Sequence, residues 1–142
     1  MAKETAMIIT VGTGIGGTQE ATDSLAHGIL HAISQTNPKK VVLFGSEKSR
    51  STVESLKKQY LEEEDDDLDS ISEYVEINEV DDFKKYFIPI KSKIQELEDD
   101  YKIIIDYTSG TKTMTMSAAF ASMLYHKKLI FVTGDRKDGI VK

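Results

Sequence analysis

The chain has 142 residues, no cysteine and a formal charge of −6 at neutral pH. That length suits one domain with a sizeable core; the missing thiols exclude disulfides, thiolate metal sites and cysteine nucleophiles; the acidic balance argues against general nucleic-acid binding. No apolar run approaches the roughly 20 residues of a membrane span. The opening MAKETAMIITV lacks the layout of a secretory signal, so a cytoplasmic location is expected.

Residues 7–11 (MIITV) read as a buried strand. A glycine loop follows, then a helix over about 18–35, with Leu25, Ile29, Ala32 and Ile33 at helical spacing. Asn37-Pro38 stops it. Residues 41–44 (VVLF) form a second apolar strand, closed by Gly45-Ser46. A helix over 51–61 runs into EEEDDDLD, residues 62–69, with seven acids in eight positions. Such a run predicts a solvated, mobile loop, and it lacks the alternating ligands and central glycine of an EF-hand. Outside it, 17 acids face 18 Lys and Arg, so the remaining surface can offer an anion a neutral or positive face.

Residues 74–77 (YVEI) are a third strand. Asp81 or Asp82 then caps a helix to about Leu97, with Phe83, Phe87, Ile90 and Ile94 along one face. Residues 102–106 (KIIID) are a fourth strand, 113–125 a helix and 129–133 (LIFVT) a fifth strand. Alternating elements with continuously apolar strands predict a Rossmann-like α/β fold: a mostly parallel sheet with helices on both faces, in three layers. The abrupt end at DGIVK suggests that residues 1–142 are one domain cut from a longer protein.

Ligands of such sheets sit beyond the carboxyl ends of the strands. Three loops converge there. The first, VGTGIGGT, matches G-x-G-x-x-G at Gly12, Gly14 and Gly17, a pattern that lets backbone approach a phosphate. A dinucleotide site also wants an acid at the tip of the second strand. Here Gly45-Ser46 stand at that tip and Glu47 comes one step late. NAD-type binding is therefore an alternative reading, as is a tight turn with no ligand. In the second loop, GSEKS, Ser46 and Glu47 are candidate contacts and Ser49 reads as a helix cap. The third, DYTSGTKTM, offers the hydroxyls of Thr108, Ser109 and Thr111, the amides around Gly110, and the charge of Lys112. Thr111 or Thr113 caps the helix that follows, whose first amides favour an anion. Walker spacing is absent.

The stretch MTMSAAFASML suits close packing on the sheet or a helix-helix contact between two copies. His27 and His31 stand at i, i+4 without a third ligand, so they read as surface or packing residues. No metal site and no cofactor is expected. Asp135 and Arg136 rim the site or are solvated. No Ser-His-Asp set and no paired carboxylates can be assembled, which tilts the reading from catalysis to binding.

On motif 106–114 and the glycine loop, the sequence resembles the CARF domains, the CRISPR-associated Rossmann-fold sensors, over nearly its whole length. The resemblance implies a homodimer that binds a cyclic oligoadenylate, the second messenger of type III CRISPR antiviral defence, in a cleft across the two-fold axis. The tetra-adenylate is the expected ring. Binding would control an effector, fused or separate, although no effector domain follows in this chain. Neither DNA nor a membrane is an expected partner. The family's ligand loops carry over to Gly12, Thr13, Gly14, Ile15, Gly16 and Gly17, to Ser46 and Glu47, and to Thr108, Ser109, Gly110, Thr111, Lys112 and Met114. Some members are metal-independent ring nucleases, which cut the ligand by attack of a ribose 2′-OH on the adjacent phosphate. In such a member Lys112, Thr108, Ser109 and Thr111 would stabilise the reacting phosphate.

Overall fold

Successive residues of β1 (Glu4–Thr10) face opposite sides of a sheet, and both sides are apolar. Ala6 and Ile8 point into one core, while Met7, Ile9 and Val11 point into the other. This is why the strand reads as an unbroken hydrophobic run. The fold was obtained as a computed structural model, which describes residues 3–13, 17–78, 82–132, 136–137 and 140–141.

Along the chain follow α1 (Gln19–Thr36), β2 (Lys40–Gly45), α2 (Arg50–Glu64), β3 (Ser72–Glu76), α3 (Phe83–Leu97), β4 (Tyr101–Asp106), α4 (Lys112–Leu124) and β5 (Lys128–Ile130). The five strands form one parallel sheet in the order β3-β2-β1-β4-β5. Helices α1 and α2 cover one face through Ile29, Ile33, Val53 and Leu56. Helices α3 and α4 cover the other through Tyr86, Ile90, Ala118 and Ala121. The Rossmann-like three-layer fold expected from the sequence is the fold observed. Leu56 is fully buried. Leu56→Ala is expected to cost about 2–5 kcal/mol of stability, read as a lower urea midpoint with an unchanged slope.

Several elements differ from expectation. Helix α2 continues through Glu64, and Asp65 closes it in a left-handed conformation (φ 54°). Asp67 then accepts from the Asp69 amide, and Asp69 pairs with Lys57 at 2.9 Å. The acidic run is thus solvent-facing, but it also caps and closes a turn. Its partner Lys57 lies about two turns before the end of α2, a pairing that no local pattern reveals. Asp69 in turn holds the Lys57 ammonium above its ordinary range.

On α3 the buried stripe is Tyr86, Ile90, Ile94 and Leu97. Phe83 and Phe87 are only half-buried; they stack on each other and meet Phe120 of α4 at centroid distances of 5.8 and 5.3 Å. Asp82 is the cap, accepting from the Lys84 amide at 3.0 Å, and Asp81 lies outside the described residues. β5 is shorter than predicted. Near the carboxyl terminus, β6 (Arg136–Lys137) and β7 (Ile140–Val141) pair as a separate antiparallel ribbon, where the sequence suggested only a trailing end. No helix among the described residues is long and apolar enough to cross a membrane.

Candidate ligand-binding site

β1 and β4 are neighbours, but the helices that follow them lie on opposite faces of the sheet. The chain therefore parts at their carboxyl ends and leaves a crevice, the usual ligand position in open α/β sheets. A cavity of about 700 Å³ opens there. Gly12 and Thr13 line it from the loop after β1, Ser46, Glu47 and Lys48 from the loop after β2, and residues 108–111 from the loop after β4. Leu25 of α1 and Met114 of α4 add apolar surface, and Asn78 closes the side beyond β3.

The first and third loops lie close together, joined by side chain to backbone hydrogen bonds. The Gly12 amide donates to Ser109 Oγ at 2.6 Å, and Thr10 Oγ1 donates to the Ser109 carbonyl at 2.5 Å. A Cβ on Gly12 would stand 2.7 Å from the Gly110 nitrogen, closer than real contacts allow. Gly110 itself sits at φ +120°, a conformation that other residues rarely adopt. These glycines are needed for the approach of the two loops.

Asp106 ends β4 fully buried and organises the third loop. Its Oδ1 accepts from the amide (2.9 Å) and the hydroxyl (2.6 Å) of Thr108, whose Oγ1 accepts in turn from the Val132 amide at 2.6 Å. The Thr108 hydroxyl is therefore occupied within the loop, although the residue lines the cavity. Asp106→Ala would leave the Thr108 amide without its acceptor. It is expected to destabilise by about 1–3 kcal/mol, measurable by chemical denaturation.

Thr111, not Thr113, caps α4, accepting from the Met114 amide at 3.2 Å. Ser49 does not cap α2. Its hydroxyl donates to the Val11 carbonyl at 2.8 Å and accepts from the Ser46 amide at 3.2 Å, joining the second loop to the first. Thr52 adds a bond to the Gly12 carbonyl at 2.9 Å. The sequence assigned Ser49 to the cap because a serine before a helix usually serves there; the neighbouring strand end supplied a closer partner.

Of the predicted contacts, Gly12, Thr13, Ser46, Glu47, Thr108, Ser109, Gly110, Thr111 and Met114 come together around one cavity. Gly17 is exposed at φ +68°, just before the α1 cap, and is not part of the lining. Lys112 is exposed at the first position of α4 and is likewise outside the lining. Gly14, Ile15, Gly16 and Asp135 lie outside the described residues. Four lining residues stood outside the predicted contacts, among them Ser49, which the sequence assigned to a cap. Lys48 was legible as the basic residue of GSEKS. Leu25 was assigned to the core by its helical spacing and instead faces the cavity. Asn78 carried no signal at all. His27 and His31 lie away from this cavity, and the described residues hold no group of three or more His, Asp or Glu suited to a metal ion.

The arrangement combines backbone amides, hydroxyls and a lysine with apolar surface from two helices. Such a mixture suits a ligand with both phosphates and planar bases.

No protein-family model and no curated protein matches the chain. Solved structures do match it. Can2 from Sulfobacillus thermosulfidooxidans, in complex with cyclic tetra-adenylate, aligns over 93% of this chain and 33% of its own, with 19% identity and a TM-score of 0.64. At this identity the likeness is one of fold. Csm6 from Enterococcus italicus, bound to cyclic hexa-2′-fluoro-hexa-dAMP, aligns over 92% of this chain and 34% of its own, with 16% identity and a TM-score of 0.65. Protein VC1899 from Vibrio cholerae gives 12% identity and a TM-score of 0.63 over 91% of this chain and 30% of its own. The chain thus spans about a third of the length of each of these neighbours. Identities this low establish shared architecture; the ligand must be argued from the site.

Proposed function

We propose that the chain is a CARF-type sensing domain that binds a cyclic oligoadenylate, with the tetra-adenylate as its first candidate, and so controls an effector in type III CRISPR defence. One observation carries this reading: the donor-rich crevice where the loops after β1 and β4 meet, on a fold shared with two proteins solved with cyclic adenylate rings. Lining hydroxyls such as those of Thr13 and Ser46 take the phosphates, Lys48 supplies positive charge at the lining and Lys112 adds it from just outside, and Leu25 and Met114 offer apolar contact to a base. Lys48→Ala is expected to weaken binding about tenfold or more, the value of one charge-assisted hydrogen bond, and Lys112→Ala to weaken it less, through charge acting from outside the lining. The loss should shrink as salt is raised. Calorimetric titration at two ionic strengths checks it; affinity equal to wild type would remove that lysine from the site.

A homodimer completes the reading. Met116 (63% exposed), Phe120 (47%), Met123 (72%) and Leu124 (51%) form an apolar stripe on α4, the helix that starts at the cavity wall. A second copy packed on this stripe would set two cavities side by side for a ring with its own two-fold symmetry.

Binding is preferred to cleavage because the lining offers few groups for proton transfer. The cavity's titratable lining among the described residues is Glu47 and Lys48, and the Thr108 hydroxyl is held by Asp106. The deciding experiment incubates excess protein with cyclic tetra-adenylate in EDTA and separates the products. Intact ligand eluting with the protein supports a sensor. Linear di-adenylate would make the domain a ring nuclease, and no association would overturn both.

A further inference from the structure

The second loop of the site is braced from outside, by the strand at the sheet edge. The Asn78 side-chain oxygen accepts from the Glu47 amide at 2.9 Å, and its amide nitrogen donates to Glu76 Oε2 at 3.2 Å. The other oxygen of Glu76 takes Arg50 Nε at 2.5 Å. The Arg50 guanidinium lies over the Tyr74 ring, 5.5 Å from its centroid, and the Tyr74 hydroxyl donates to the Ser46 carbonyl. Residues 46–50 are therefore gripped at Ser46, at Glu47 and at Arg50 by three neighbouring residues of one chain segment. Gly45 makes room for the grip, because a Cβ there would stand 2.7 Å from the Tyr74 hydroxyl. The Asn78 amide, and after it Arg50, hold the Glu76 carboxyl below its ordinary range, while burial pushes the Tyr74 phenol up.

We propose that Asn78, acting with Glu76, Arg50 and Tyr74, is a positioning residue that sets the shape of residues 46–48 and thereby the affinity of the cavity for its ligand. The inference rests on the sensing role above and deepens it. Ser46, Glu47 and Lys48 all line the cavity, and none is held there by the core alone. Asn78 lies beyond the end of β3 and bonds both to the loop and to the strand. It uses its acceptor on the first and its donor on the second, so neither function survives truncation.

The test compares Asn78→Ala and Asn78→Asp with wild type. Aspartate keeps the acceptor for the Glu47 amide but sets a second carboxylate against Glu76. The charged and titratable groups around it are Glu47, Lys48 and Arg50 on the loop, and Tyr74 and Glu76 on the strand side. Two carboxylates at hydrogen-bond distance share a proton more readily than either does alone. At pH 8, both variants are expected to bind cyclic tetra-adenylate about tenfold more weakly than wild type. At pH 5.5, relative to wild type at the same pH, the aspartate variant recovers most of its affinity and the alanine variant does not. Equal affinity in Asn78→Ala, or no difference in pH response between the two variants, overturns the proposal.

A second readout needs no ligand. Hydrogen exchange of the Glu47 amide in the free protein should quicken about tenfold or more in Asn78→Ala, since that amide loses its acceptor; an unchanged rate overturns the brace. If wild type fails to bind cyclic tetra-adenylate while the exchange rate changes as expected, the sensing role falls and the brace stands.

Discussion

Gly12→Val is expected to lower the affinity for cyclic tetra-adenylate at least about 100-fold, an effect of about 3 kcal/mol. The new Cβ alone would sit 2.7 Å from the Gly110 nitrogen and 3.2 Å from Ser109 Oγ, and the branched methyls would intrude further. Backbone cannot step aside as a flexible side chain can, so the loops after β1 and β4 must part. Parting them breaks the bond from the Gly12 amide to Ser109 and displaces the wall of the crevice. Overpacking of this kind also costs about 1–3 kcal/mol of stability. Thermal denaturation and calorimetric titration should therefore be run together. A variant that folds and binds like wild type would show that the two loops do not form the site.

The second large effect concerns assembly. Met116 and Met123 are the most exposed apolar residues on α4, seven positions apart and on one helical face. Met116→Glu combined with Met123→Glu adds two charges to that face without disturbing the ring cluster of Phe83, Phe87 and Phe120. Wild type is expected to sediment as a dimer and the double variant as a monomer. If one ligand spans two cavities, the monomer should also bind cyclic tetra-adenylate at least about 100-fold more weakly, because half of the contacts are lost. A double variant that remains dimeric would move the interface elsewhere. A monomer with undiminished affinity would mean that each cavity binds alone.

The architecture was legible because parallel sheets buried on both faces leave a plain trace. Unbroken runs such as MIITV and VVLF, alternating with helical patterns, admit few other folds. The positions of three loops at one end of the sheet follow from that topology. So does the convergence of Gly12, Ser46 and residues 108–111, since every strand of a parallel sheet ends on the same side. Residue type along the chain was enough for this much.

What each side chain does at that end was decided by contacts across the sheet. Thr108 reads as a ligand donor, yet it bonds to Asp106 and Val132. Ser49 reads as a cap and ties two loops together. Leu25 fits the core periodicity, but from the second turn of α1 it lines the cavity. Asn78 and Glu76 reach the second loop only because β3 pairs beside β2, and that pairing joins residues about 30 positions apart. Hydrophobic periodicity is a local property and survives in the sequence. A polar group's partner is chosen by distance and geometry in the folded chain, so only the tertiary structure could assign these roles.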